Sequence, residues 1–445
     1  MRSYFWFCYS FLLFFSCNKE TLDNKEIIKE PKNTTRIQFT KTFGGSLNDV
    51  AKAITKTADN GYAIVGYTQS NNGDITNKIT EDFDVILKKY SASDVLEFTK
   101  IFGRSKDDRA NSVIQTNDGG YAILGYSSNT SEKLKNNGGK DFWVVKTNAK
   151  GNVIWEKTFG FSGNEEGMAI IQTNDHGFLL VGSIDISASK GQGNAKTTSK
   201  KHAGGEYWAI KISNRGDFKW SNFFGGSFTD TPFDVVETQH NSFIIVGQSD
   251  STDVDVSDNL GTYDFWVIHI SAKGNLIWEK SFGGSQIDEA YGISKTSDNN
   301  FIILGNTRST DQNISNNNGG ADIWLIKIDI NGNLLWEKSI GGSGFDVGRS
   351  IHKTANNGFL ISGSSKSTNE KFTNKGTNDA WLLKVDNNGN LQWQKTIGGS
   401  KIDFLYDAIQ INENSYVAVG ETTSSDHDII TNKGFSDLLI VKITE

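Results

Sequence analysis

The chain has 445 residues, with 46 glycines, 2 prolines and 2 cysteines. Its formal net charge of −7 is mild, and both signs are interspersed, which excludes the clustered Lys and Arg face of a nucleic-acid-binding surface. Gly, Asn, Ser and Thr between short apolar runs indicate many short strands joined by tight turns.

At the N-terminus, Arg2 precedes a 12-residue apolar run, Tyr4–Phe15, too short to span a bilayer permanently. Ser16 and Cys17 follow. A small residue just before a cysteine at the end of such a run resembles the lipobox of bacterial lipoproteins, with Phe14 where a leucine is usual. The resemblance implies a signal peptide over residues 1–17, cleaved before or near Cys17, and lipidation of its sulfur. Such a chain is exported and anchored to the outer membrane, on its cell-surface or periplasmic side. Cys8 and Cys17 are the only cysteines, so the mature chain holds no disulfide and relies on packing. Residues 18–35 are charged and polar and include Pro31. They read as a flexible tether reaching about 60 Å when extended.

From Arg36 the sequence is periodic. "RIQFTKTFGGS" (Arg36–Ser46) returns six more times, as in "IWEKSFGGS" (Ile277–Ser285) and "LQWQKTIGGS" (Leu391–Ser400). Its Phe or Ile falls at Phe43, Phe102, Phe159, Phe224, Phe282, Ile340 and Ile397. A period near sixty residues calls for a repeat architecture. Each unit reads as four strands. The first follows the phrase, as in "AKAITKT" (Ala51–Thr57). A turn such as "ADNG" or "NDGG" suits a hairpin. The second begins with an aromatic and carries a glycine: Gly66, Gly125, Gly182, Gly247, Gly305, Gly363 or Gly420. A glycine inside a strand is costly unless something packs close against it, so a neighbouring blade or a Trp face is expected there. The third, as in "DFWVVK" (Asp141–Lys146), is apolar on both faces and should be buried on both. The fourth carries Trp155, Trp220, Trp278, Trp336 or Trp393, with Phe39 and Phe98 in the other two units.

Seven units of four strands predict an all-β, seven-bladed β-propeller over residues 36–445. A solenoid would need caps at both ends. Here the ends are complementary: "DLLIVKITE" (Asp437–Glu445) is a third strand without a fourth, and "RIQFTKTF" (Arg36–Phe43) is a fourth strand without a blade. Paired, they close the ring. "GNVIWEKTFG" resembles the tryptophan-docking phrase of quinoprotein-type propellers, in which a Gly turn precedes an outer-strand Trp that packs between blades. The whole unit resembles a repeat common in secreted proteins and lipoproteins of Bacteroidota-like bacteria. The resemblance implies the fold and leaves the activity open.

Two carboxylates recur per unit. Three residues after each phrase come Asp49, Asp108, Glu165, Asp230, Asp288, Asp346 and Asp403. The third strands are read as opening with Asp82, Asp141, Glu206, Asp264, Asp322, Asp379 and Asp437, with Asp84 where five blades have Trp. The first set forms a candidate binding ring on the face shared by the fourth-to-first and second-to-third loops. Sevenfold repetition favours a structural role, since side chains at turns accept backbone N–H groups. Trp and Tyr at repeat spacing read as core. The Lys-rich stretch Lys196–His202 reads as a solvated loop. Asp250, Asp253, Asp255 and Asp258 are spaced closely enough to suggest calcium, without the EF-hand pattern. No other metal spacing and no catalytic motif appears. The expectation is a monomeric, membrane-anchored binding or scaffold module for a protein or polysaccharide, without a cofactor apart from calcium. The alternatives are a carbohydrate-active enzyme using the acidic face and, less in keeping with seven cysteine-free blades, a quinone-dependent dehydrogenase.

Overall fold

The computed structural model describes residues 35–129, 135–190, 192–193, 202–369 and 372–445. Seven four-stranded antiparallel sheets stand as blades around an axis. Their inner strands are Asp49–Lys56, Asp108–Gln115, Glu166–Gln172, Asp230–Glu237, Asp288–Lys295, Asp346–Lys353 and Asp403–Asn412. Consecutive inner strands touch, and the seventh touches the first. Ring closure follows the sequence reading. Arg36–Phe43 pairs antiparallel with Asp437–Thr444, from Arg36 opposite Thr444 to Phe43 opposite Leu438. The segments before residue 35 and the Lys-rich residues 196–201 lie outside the described residues.

The third strands are buried along nearly their whole length, as the two-sided apolar pattern demands. Trp266, Trp324 and Trp381 are fully buried. Four of these third-strand indoles donate to the residue that follows the outer-strand Trp or its equivalent: Trp143, Trp266 and Trp324 to Glu156, Glu279 and Glu337, and Trp381 to Gln394, at 2.9–3.2 Å. Outer-strand aromatics bridge blades, Trp155 onto Phe178 and Trp393 onto Tyr416. The Gly turn of the following blade closes over them: a Cβ on Gly216 or Gly332 would press on Trp155 or Trp278. Both glycines have positive φ, +79° and +78°, which favours glycine on backbone grounds as well.

The first blade corrects one alignment. Its third strand runs Asp84–Tyr90, and Gly66 faces Ile86 where Gly125 of the second blade faces Trp143. Asp84 is therefore the strand-opening carboxylate. Asp82 lies ahead of the strand, and Ile86 occupies the Trp position.

The second-strand glycines have a sharper cause than a packed neighbour. Every inner strand carries a β-bulge opposite its glycine, as between Ala51 and Ala53 or between Gly348 and Ser350. The bulge swings a carbonyl over the glycine Cα. A Cβ would overlap the carbonyl oxygen of Val50, Arg109, Glu166, Thr231, Glu289, Val347 or Phe404 in turn. In three blades a third-strand aromatic of the preceding blade, Phe142, Tyr207 or Phe265, also closes on it. The Trp of the same blade sits directly across the strand pair in five. Gly125→Ala is therefore expected to cost about 3 kcal/mol or more in chemical denaturation. Gly119→Ala, with open space but a φ of +80°, should cost only about 1 kcal/mol. Equal midpoints for the two variants would show that the bulge does not need the glycine.

Candidate ligand site in the central channel

A bulge leaves one residue unpaired and re-aims its side chain. The seven residues so released are Lys52, Asn111, Met168, Phe233, Tyr291, Arg349 and Tyr406. All seven line one cavity of about 1110 Å³ along the axis, and all seven are half-buried. Inner strands are the free edges of their sheets, so Pro232, beside one bulge, is tolerated there.

Around the ring these residues divide into two arcs. Tyr291, Arg349, Tyr406 and Lys52 come from consecutive blades and alternate aromatic with cation. The Arg349 guanidinium lies 4.2 Å from the Tyr291 ring centre, and Lys52 Nζ lies 3.8 Å from that of Tyr406. The Tyr291 hydroxyl donates to Glu289 at 3.0 Å, and that of Tyr406 to Glu421 at 2.5 Å. Asn111, Met168 and Phe233 form the uncharged arc. Asn111 is held by its bond to the Gly167 carbonyl at 2.9 Å, and Phe233 packs on Tyr291 at 4.8 Å.

Two other cations at the channel wall, Arg109 and Lys140, have counter-ions. Arg109 pairs with Asp107 at 3.1 Å and stacks on Phe83 and Tyr67. Lys140 pairs with Glu166 and lies over Tyr126. Burial, and then the charge of Arg349, push the Lys52 ammonium down to about 8. Beyond the bulges, the His352 imidazole meets Asp407 at 2.7 Å. Burial alone would lower its pKa, but Asp407 and Asp234 outweigh that and raise it. Both carboxylates also tie blades together: Asp407 accepts Ile54 N–H and Asp234 accepts Ile293 N–H, each at 2.9 Å.

The carboxylate ring singled out in the sequence lies elsewhere. Asp49 is 2% exposed, and Asp108, Glu165, Asp230, Asp288, Asp346 and Asp403 are 0% exposed. Each accepts the backbone N–H four residues upstream, at 2.6–3.0 Å, and so pins its phrase loop. Each also faces the third-strand carboxylate of the blade before it. The phrase glycine separates the two, as Gly44 separates Asp49 from Asp437 and Gly341 separates Asp346 from Asp322. One buried oxygen of each third-strand acid has no hydrogen-bond partner, in Asp84, Asp141, Glu206, Asp264, Asp322, Asp379 and Asp437 alike. In the acidic loop, Asp250 accepts Thr229 N–H at 2.7 Å and Asp253 accepts Ser227 N–H at 2.9 Å. The Asp255 N–H donates to the Gly225 carbonyl at 3.1 Å, and the Asp258 carbonyl takes the Ser281 hydroxyl. Among the described residues no three His, Cys, Asp or Glu side chains converge to hold a metal ion.

Two buried carboxylates facing each other favour one shared proton. Burial first, opposed by the Asn318 N–H and reinforced by Asp346, leaves Asp322 at about 6. Its unfolded value is about 3.9. A raised folded pKa gives stability that is complete below the unfolded value and is lost as pH rises through the folded one. Asp59 and Asp175 have the opposite sign. Burial would raise them, but hydrogen bonds outweigh it, from Lys89 and Thr57 to Asp59 and from Thr173 and Lys211 to Asp175, and hold both at about 2, so their contribution is lost only in strong acid. The melting temperature is expected to fall between about pH 4 and about pH 7. Asp322→Asn, which mimics the protonated form, should remove part of that fall. The same slope in the variant would show that Asp322 holds no extra proton.

The molecule is a seven-bladed β-propeller. No family model matches the chain, and no curated protein matches it. Solved structures of similar fold include a protein of unknown function from Dyadobacter fermentans, at 10% identity and TM-score 0.44, covering 92% of this chain and 99% of that one. The Pan2 WD40 domain of Neurospora crassa is similar at 9% identity and TM-score 0.48, covering 92% and 95%. Sqt1 from Chaetomium thermophilum is similar at 11% identity and TM-score 0.43, covering 85% and 83%.

Proposed function

We propose that this protein is an exported lipoprotein, anchored through Cys17 to the outer membrane, whose propeller is a binding module with its ligand seat in the central channel. We assign its units to the repeat family of Bacteroidota-type secreted proteins and lipoproteins, on the phrases quoted above. The observation that carries the binding reading is the contrast between repetition and variation. Flanking positions of the inner strand repeat in character: Ala, Gly or Pro precedes the bulge residue in six blades and Leu405 in the seventh, and Ile or Val lies two residues after it in six, with Ala408 in the seventh. The bulge residue itself is Lys, Asn, Met, Phe, Tyr, Arg or Tyr. A structural requirement common to all blades would select similar residues. Distinct side chains converging on one cavity suit recognition of one asymmetric ligand. A glycoside-hydrolase reading needs two carboxylates flanking one sugar, whereas the repeated acids face each other beneath the loops. A polysaccharide or a protein segment remains the partner class.

Two measurements test this. Cys17→Ser should move the protein from the membrane to the soluble fraction and abolish labelling by a radioactive fatty acid; continued labelling would refute the anchor. A thermal melt against soluble polysaccharide fragments should find a stabilising ligand, worth about 2.7 kcal/mol at 100 times its Kd. Phe233→Ala should weaken that ligand by about 1–3 kcal/mol. Unchanged affinity in Phe233→Ala would place the seat outside the channel.

A further inference from the structure

Lys52 and Arg349 are the two cations among the seven bulge residues. They come from blades separated only by the Tyr406 blade, and they point into the same cavity. Neither is ion-paired among the described residues, although Arg109 and Lys140 nearby are. Each instead rests on a tyrosine ring, which orients it without neutralising it. The hydroxyls of those tyrosines are engaged by Glu289 and Glu421, so both rings are fixed in place. Two like charges held together in a half-buried cavity destabilise the empty protein; burial first, and then the charge of Arg349, lower the Lys52 pKa. An anion between them would relieve it. Across the lumen, Met168 and Phe233 offer an apolar wall. A bare inorganic ion would leave that wall, and most of about 1110 Å³, unused.

We propose that the arc Tyr291–Arg349–Tyr406–Lys52 is a seat for the carboxylate of an acidic saccharide, whose C–H face packs against Met168 and Phe233. The two cations bind the carboxylate in charge-assisted contacts. The ring body supplies the area that the apolar arc buries. This rests on the channel reading above and narrows it to one ligand class.

The test uses the full chain in detergent, with short oligogalacturonides as the acid probe, their fully methyl-esterified forms as the neutral probe, and inorganic phosphate. Calorimetry should detect the acid at millimolar concentration or below. It should bind about tenfold or more weaker in Arg349→Gln and in Lys52→Met, as expected for a lost charged contact. Arg349→Lys should retain most of the affinity. Lys52→Met without ligand should melt no lower than the parent, because it removes an unpaired cation. A lower melt would mean that Lys52 is needed for folding and would overturn the seat. No binding of the acid, or equal binding of acid and ester, overturns the carboxylate seat. If the ester binds and Phe233→Ala abolishes it, the channel reading survives that failure. If Phe233→Ala leaves all binding intact, the channel reading falls as well. Phosphate matching the acid in affinity would overturn the saccharide assignment.

Discussion

The structure depends on one close approach made seven times. A second-strand glycine lies beneath a carbonyl of the bulged inner strand, where no Cβ fits. Without the glycine the inner strand could not bulge, and without the bulge the residue it releases would stay in the sheet's alternation. The bulge also ends regular pairing at the one place where pairing has no further partner, the sheet edge at the axis. A backbone device present in every blade thus brings seven independent side chains into a single lumen.

The repeated polar residues secure the blades so that this lumen can vary. The inner-strand carboxylates tie down the phrase loops. Third-strand lysines reach the hairpin aspartates, as Lys146 reaches Asp118 and Lys327 reaches Asp298. Outer-strand aromatics fill the wedge between blades beneath the Gly turns. These contacts recur because each blade meets the same neighbour in the same way. The bulge residues meet no such neighbour. They meet one another and the lumen of the channel.

Electrostatics sharpens the division. In the carboxylate pairs the like charges can be relieved internally, by protonation of one partner. Lys52 and Arg349 share no such proton: neither is ion-paired among the described residues, and the guanidinium does not titrate in the accessible range. A stable ring tolerates that strain where a small domain could not. Destabilised charges kept at one site of an otherwise optimised scaffold are the usual mark of function held against stability.

Much of the architecture was legible in the residues alone. Period, strand number, blade number and the closure of Arg36–Phe43 onto Asp437–Thr444 are one-dimensional properties, because each blade's hydrogen bonds are made mostly within one unit and its neighbour. The buried role of the Trp positions followed for the same reason. The alignment slip at Asp84 arose because the first blade has Ile86 where five others supply a Trp as landmark. The channel was hidden by a different cause. A bulge skips one residue in the pairing, so strict alternation along the inner strand hides which side chain faces the axis. The recurring acids, conspicuous in sequence, prove to be buried loop anchors. The signal for the site was present, in an inner-strand position that changes chemistry in nearly every unit. Only the ring gives that variation a meaning, because seven residues 57 to 65 apart in sequence become neighbours solely through closure around an axis.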